Sequence, residues 1–515
     1  MARSRFGRHK KQQQTKVEAS FAIEIFKDIE QNIKNLNNML DAPDDLMTRE
    51  FTIGHGEQQA AIAYIDGLVD KELLQNNILE NLQNLSVEQQ SEEDVEAMFD
   101  KIYQTFISIN KIKKGTTLDD ISNGILSGNT VFYLDGIDAV LIMDIKGGET
   151  RAIEQPITET LIRGPRTSFV ESIGTNISLI RRNIRAPNLR LKTSQVGRRS
   201  KNNLVLAYVE GIVNPEIVQE VSRRLETIDL DDAPESGFIE QWIEDSFLSP
   251  FPQMMDTERP DVVSSSLLQG KVAIILDGTP FVLIAPTTLG DILKSPEDYY
   301  ERWLYGTLLR VLRYIGAFLA LFLPAIYISL VSFHQGLLPS KLAFSIAASR
   351  EGVPFPAFVE AMLMVITMEL LQEAGVRLPT PIGQTIGIVG GLVIGEAAVQ
   401  AGIVSPVMLI VIALTAIAAF TTPTFSLSIS LRILRFGFMF AAAFLGLYGV
   451  ILVYVMINIH LVNLKSFGVP YATPFAPTML GDMKDLVLRA PRFMLMKRPE
   501  YLQTEDEKSA NKGEK

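Results

Sequence analysis

Cysteine is absent from all 515 residues, which excludes disulfides, thiolate catalysis, iron–sulfur clusters and Cys-type zinc sites. Histidine is scarce: His9, His55, His334 and His460 are scattered, and no two stand at the i, i+4 spacing that puts paired ligands on one helix face. A Gly-rich phosphate loop and a nucleophile elbow are missing too, so nothing assigns a catalytic residue, a metal or a cofactor. The basic, glutamine-rich stretch Met1–Lys16 is followed by no apolar run and does not read as a signal peptide. The first segment able to engage a membrane arrives near residue 311, so the N-terminal half is expected in the cytosol. Positive charge is in deficit, 48 Lys and Arg against 59 Asp and Glu for a net −11. That balance argues against nucleic acid as a partner.

What is present divides the chain in two. Up to about Tyr305 it is charged and patterned like a soluble protein; from Val311 to Ile459 apolar runs exceed what a helix needs to bury one face. Within the soluble half, Ala63-Tyr-Ile-Asp-Gly-Leu-Val-Asp70 returns as Ala207-Tyr-Val-Glu-Gly-Ile-Val-Asn214, each running into a helical pattern with Asp70 or Asn214 as the expected cap. Leu134-Asp135-Gly136 likewise returns as Leu276-Asp277-Gly278 between apolar runs, a hairpin-turn signal. The matched landmarks indicate a tandem duplication of an α/β unit over roughly 50 to 150 and 200 to 290. Asp135 and Asp277 are turn formers rather than catalytic acids.

Between the copies lies a basic stretch containing Arg163, Arg166, Arg181, Arg182 and Arg185. It reads either as a surface for anionic lipid or an acidic partner, or as a linker helix whose arginines pair with acids of the flanking repeats. Base-stacking aromatics are missing from it, which disfavours nucleic acid.

In the apolar part, Val311–Phe333, Ile382–Gly402, Val404–Thr424 and Phe436–Ile457 read as crossings. Arg350–Gly375 carries Glu360, Glu369 and Glu373, which makes it an interfacial or bundle-interior helix. Arg432 and Arg435 then fall on the side away from the cytosol. Gly383, Gly387, Gly391 and Gly395 recur every fourth residue and line one face, where backbones approach closely. One reading makes this helix pore-lining, with Val389 and Val393 narrowing a channel and Glu396 biasing it toward cations; the other makes it a packing face within one bundle.

The fold class is therefore an α/β soluble N-terminal half of two related tandem subdomains, followed by an α-helical polytopic membrane domain. The expected order is a polar, basic, disordered tail (1–45), α/β subdomain 1 (46–155), a basic helical linker (156–200), and α/β subdomain 2 (201–300). A transmembrane domain of about four spans plus an interfacial helix (301–465) follows, then a cytosolic C-terminal segment and charged tail (466–515).

Several long stretches carry a family resemblance: Arg163-Gly-Pro-Arg166, Ser249-Pro-Phe-Pro-Gln253, Thr257-Glu-Arg-Pro-Asp261, Arg350-Glu-Gly-Val-Pro-Phe-Pro356, the run Gly383–Gly402, Ser405-Pro406, Thr415-Ala-Ile417 and Ser466-Phe-Gly-Val-Pro-Tyr471. Over about residues 45 to 500 the chain resembles the A subunits of spore germinant receptors, the GerA family. Glu396 departs from that pattern, where an uncharged Gln is the more usual residue. The resemblance implies a nutrient-responsive receptor in the spore inner membrane, working with a transporter-like B subunit and a lipoprotein C subunit. It further implies a homo-oligomer of A subunits that conducts ions to trigger germination. A sporulation-stage paralogue acting as a scaffold or signal transducer, or an ion-coupled transporter component, is the alternative.

Overall fold

The computed structural model describes residues 24–53, 58–83, 93–105, 112–145, 147, 155, 156, 158–377, 391 and 393–510. The soluble half is built twice from one plan. The first lobe runs helix α1 (Ile29–Leu40), strands β1 (Leu46–Ile53) and β2 (Gln58–Ile65), then a helical run α2 (Lys71–Leu73, Leu74–Leu79 and Glu80–Gln83). Helix α3 (Glu93–Thr105), β3 (Ile112–Gly115), α4 (Leu118–Leu126), β4 (Thr130–Leu134) and β5 (Val140–Met143) complete it. The second runs α5 (Ile173–Asn183), β6 (Leu189–Val196), β7 (Asn202–Val209), α6 (Pro215–Leu225), α7 (Ser236–Ile243), β8 (Met255–Thr257), α8 (Pro260–Gln269), β9 (Val272–Leu276) and β10 (Val282–Ala285). Each element starts 142 to 144 residues after its counterpart. The sheets are antiparallel in the matching orders β1-β2-β4-β5-β3 and β6-β7-β9-β10-β8.

Each sheet is buried on both faces. In β2, Ala61, Ala63 and Ile65 meet α1 and α4, while Ala60 and Ile62 meet α2 and α3, as a period of two requires. Asp70 and Asn214 cap the helices that follow, accepting from the amides of Leu73 and Glu216 respectively. The Asp-Gly turns are wider than a two-residue hairpin, and only Gly136 and Gly278 take positive φ, +89° and +90°. Their amides instead donate to Lys27 O and Glu171 O, tying each turn to the chain just ahead of α1 or α5.

Two expected boundaries are corrected. Residues 29–40, placed in a disordered tail, form α1, whose Ile29, Ile33, Leu36 and Leu40 fill the first core. Residues 173–196, placed in a linker, are α5 and β6 of the second lobe; alternating Leu189 and Leu191 are buried beside the arginines that masked the pattern. Beyond residue 464 the chain returns to the second lobe, where Phe467, Val469, Tyr501 and Leu502 enter the core under α6 and α7.

After α9 (Leu289–Ile292) and α10 (Glu297–Tyr300) come α11 (Trp303–Ser332), α12 (Ser340–Arg350), α13 (Ala357–Arg377), a helical stretch at 393–400, α14 (Pro406–Ala419) and α15 (Phe425–Asn463). Helices α11 and α15 are long and apolar enough to cross a bilayer. Helix α15 does not run straight. Gly446 takes φ 59°, ψ −142°, a conformation that a Cβ would strain, and the chain turns back there. Ser430 donates to Pro250 O and His460 hydrogen-bonds the neighbouring Ser249, although a straight helix would hold the two about 45 Å apart. Phe438 and Tyr454, on opposite arms, both contact the ring of Phe322. The run Phe436–Ile457, expected as one crossing, therefore contains a reversal. Arg432 and Arg435 lie on the side of the soluble lobes, because the first arm starts there with Ser426 donating to Asp256. Helix α14 descends beside α11, with Val404 and Met408 packed in one core with Ile328 and its far end, at Thr421, against Gly316.

Candidate functional site

Six of the motifs that carry the resemblance meet at three places, and each is a seam between parts of the molecule. The first seam fastens the segment between the lobes to the second lobe. The Arg259 guanidinium is 1% exposed and donates to Glu159 O (3.2 Å), Pro165 O (2.9 Å) and the Asp261 carboxylate (3.0 Å). Asp261 also accepts from the Tyr300 hydroxyl, next to the start of α11. The Glu159 carboxyl accepts from Thr257 Oγ1 at 2.6 Å. Burial outweighs that bond and, with Asp256 nearby, pushes Glu159 up to about 7.

The second seam joins the lobe to both arms of α15. Ser466 Oγ donates to Gln253 O (2.7 Å) and accepts from the Thr287 amide (3.0 Å), while Phe251 stacks on His460. The third lies inside the apolar bundle. Glu360, fully buried, accepts from Arg350 (3.1 Å) and from the Ser405 amide (3.0 Å). One carboxylate thus ties the start of α13 to the turn that opens α14.

A fourth cluster, which sequence reading did not assemble, lies where the C-terminal segment crosses the base of α11. Arg310 and Asp298 are both 0% exposed and 2.9 Å apart. Arg313 adds a second bond to Asp298 at 2.7 Å, and Asp485 closes on Arg310 at 2.9 Å. Alongside, burial alone would raise the Asp291 carboxyl, but Lys271 and Lys294 overcome it and hold the group well below the usual carboxylate range. Tyr501 completes the site by donating to Asp291 at 2.9 Å. Arg310 and Arg313 stand at the start of a long apolar run, where the sequence shows only charge beside hydrophobic residues. Their partners stand 12 to 175 positions away, so no local pattern reveals the pairing.

The remaining candidates are distributed. Arg181 is 1% exposed and forks onto Asp45 with two 2.9 Å bonds, joining the lobes. Arg190 reinforces that contact by donating to Leu40 O at 2.7 Å. Arg182 donates to Gly147 O at 3.0 Å. Arg163 lies 3.8 Å from Glu301, and Arg166 and Arg185 are exposed. Glu369 binds both Arg432 and Arg435, and Glu373 pairs with Arg377 one turn on at the surface. Gly383, Gly387 and Val389 lie outside the described residues. Among the described residues nothing lies within 4 Å of a Cβ added at Gly391, whereas at Gly395 it would meet Leu409 of α14 at 3.1 Å. Val393 is exposed, as is Glu396, which accepts from Gln400 at 3.1 Å.

Comparison with known proteins identifies the family that these motifs resemble. The family model described as Bacillus/Clostridium GerA spore germination protein matches residues 34–501. Spore germination protein GerLA of Bacillus cereus is 50% identical, over 92% of this chain and 95% of that one. Spore germination protein B1 of Bacillus subtilis (strain 168) is 44% identical, over 94% and 99%. A solved structure, the N-terminal domain of the A subunit of the Bacillus megaterium spore germinant receptor GerK3, is 33% identical over 51% of this chain and 96% of that one, with a TM-score of 0.39. The chain belongs to the GerA family of spore germination proteins.

Proposed function

We propose that this chain is the membrane-embedded A subunit of a nutrient germinant receptor. In this reading it resides in the spore inner membrane with both lobes in the cytosol and acts without enzymatic chemistry. The observation that carries it is the convergence of the motifs on seams between the second lobe, the C-terminal segment and the apolar helices. Such seams transmit displacement rather than perform a reaction. Among the described residues α11 runs away from the lobes, α13 and α14 run back toward them, and the two arms of α15 run out and back, which returns the C-terminal segment to the lobes.

Copies of the chain assemble into a homo-oligomer around an ion path, with a transporter-like B subunit and a lipoprotein C subunit as partners. Support comes from the glycine row, where Gly395 is used within the chain but, among the described residues, nothing lies within 4 Å of a Cβ added at Gly391, which leaves room for a neighbouring helix. Val393 and Glu396, both exposed, are then the groups nearest the path. Glu360 and Glu369 are engaged by arginines, which favours structural roles over the ion coupling a carrier needs.

The test is the full chain in nanodiscs and planar bilayers. A ring of several copies that carries current, lost in Gly391→Leu and altered in selectivity by Glu396→Gln, is the expected result. A single silent copy would instead support the scaffold or signal-transducer role of a sporulation paralogue, and solute uptake coupled to an ion would support a transporter component.

A further inference from the structure

Between α7 and β8 the chain forms a short loop whose neck is locked. The Gln253 side chain, 0% exposed, accepts from the Ser246 amide at 2.9 Å and donates to Ser246 O at 2.7 Å. The Ser249 amide also donates to Ser246 O at 3.2 Å. At the tip of this ordered loop Phe247 and Leu248 are each 80% exposed, two large apolar side chains that a soluble surface would leave at a cost. The charges beside them are engaged. Asp245 accepts from Arg224 (2.8 Å) and from the Phe467 amide (2.7 Å), and Glu244 is 3.5 Å from the Gln253 amide nitrogen.

The residues that follow the tip fix its level. Ser249 and Phe251 contact His460 at the end of one α15 arm, and Pro250 accepts from Ser430 near the start of the other. At that level α15 itself carries exposed Phe425, Ile429, Ile459 and Val462, and the first turn of α11 carries exposed Trp303, Leu304 and Tyr305. The tip is thus continuous with the outer apolar surface of the bundle, at the height where aromatic residues mark a membrane–water boundary.

We propose that Phe247 and Leu248 form a finger that inserts into the acyl-chain edge of the bilayer and seats the second lobe on the membrane. The inference rests on the bilayer-crossing reading of α11 and α15. Its occupant is lipid: the surface it extends is the one those helices turn outward, and a protein partner would have to enter at the height of the lipid itself.

The full chain in nanodiscs tests this. Trp242 and Trp303 are its only tryptophans. With both changed to Phe, a single reporter is introduced as Phe247→Trp, or as Phe318→Trp on the exposed middle of α11 for control. Lipids brominated on the acyl chain are expected to remove most of the fluorescence of both reporters, with acrylamide quenching neither strongly. A Phe247→Trp reporter quenched by acrylamide and not by brominated lipid faces water and overturns the finger. One quenched by neither is covered by protein, a second copy or another chain, and overturns it equally. Failure of brominated lipid at Phe318→Trp would bring down the crossing reading, and the finger with it.

Discussion

The two lobes share one topology and differ in what they are fastened to. Below α6 and α7 the second lobe takes Phe467, Val469, Tyr501 and Leu502 from the C-terminal segment into its core; the matching core under α2 and α3 is filled, among the described residues, by the first lobe's own strands and helices. The second lobe also carries both the Asp298–Arg310 lock on α11 and the His460 contact with α15. The first lobe reaches the second through Arg181, Arg190 and Arg182 and a short turn at 41–45. Duplication supplied two equal frames; one became the anchor of the helices, and the other is held at a polar hinge. Apolar core sharing resists displacement in every direction, whereas a forked ion pair fixes one geometry and releases it when broken.

The strongest way to break the comparison is Arg310→Ala. It removes one of the two arginines that hold the fully buried Asp298 and leaves Arg313 alone against it, a loss of up to about 3–5 kcal/mol, the upper end for a buried pair stripped of one partner. Amide exchange of the detergent-solubilised chain is expected to rise at 289–300 and 480–502 while β1–β5 keep their protection. A uniform rise would show the two lobes to be one cooperative unit.

Glu159 sharpens the comparison through pH. Its carboxyl is raised from 4.5 to about 7 in the folded chain, so its stabilising contribution is full below about 4.5 and is lost as pH rises toward 7 and beyond. Glu159→Gln removes that slope. Relative to wild type the variant should gain up to about 3 kcal/mol at pH 8 over its value at pH 4.5, from about 1.4 kcal/mol per pKa unit. Thermal melts across that range check this, and parallel pH profiles of the two proteins would refute it.

Asp45→Asn is the mildest. It removes one charge from the hinge and leaves Arg181 buried with a neutral partner, a cost of about 1.5–3 kcal/mol. Small-angle scattering or a distance measured between spin labels on the two lobes should broaden, with the second lobe's melting unchanged.

How much of this was legible depends on the range of the interaction. The duplication was readable because it is a pattern in the chain itself: Asp70 and Asn214 recur as caps, and Gly136 and Gly278 as the positive-φ residues of equivalent turns. Its limits were misread for the same reason. Helix α1 and strand β6 lie in polar segments that hide Ile and Leu at helical spacing in the one and at alternate positions in the other, and only a sheet to pack against makes those positions a core.

In the apolar part, composition named the long helices but not their paths. Phe436–Ile457 is apolar throughout, and nothing local distinguishes a crossing from a reversal until Gly446 adopts a conformation that other residues pay heavily to reach. The side on which Arg432 and Arg435 lie followed from that reversal.

From sequence alone came the family, the division into a soluble and an apolar half, the absence of thiol chemistry and the repeat. Each is a property of composition or of spacing along the chain. Tertiary structure alone decided which motifs touch: Arg163–Arg166 with Thr257–Asp261, Ser249–Gln253 with Ser466–Tyr471, and Glu360 with Ser405. Those pairings join residues 45 to 213 positions apart, and a buried charge or carbonyl selects its partner only once folding has removed the water that would otherwise satisfy it.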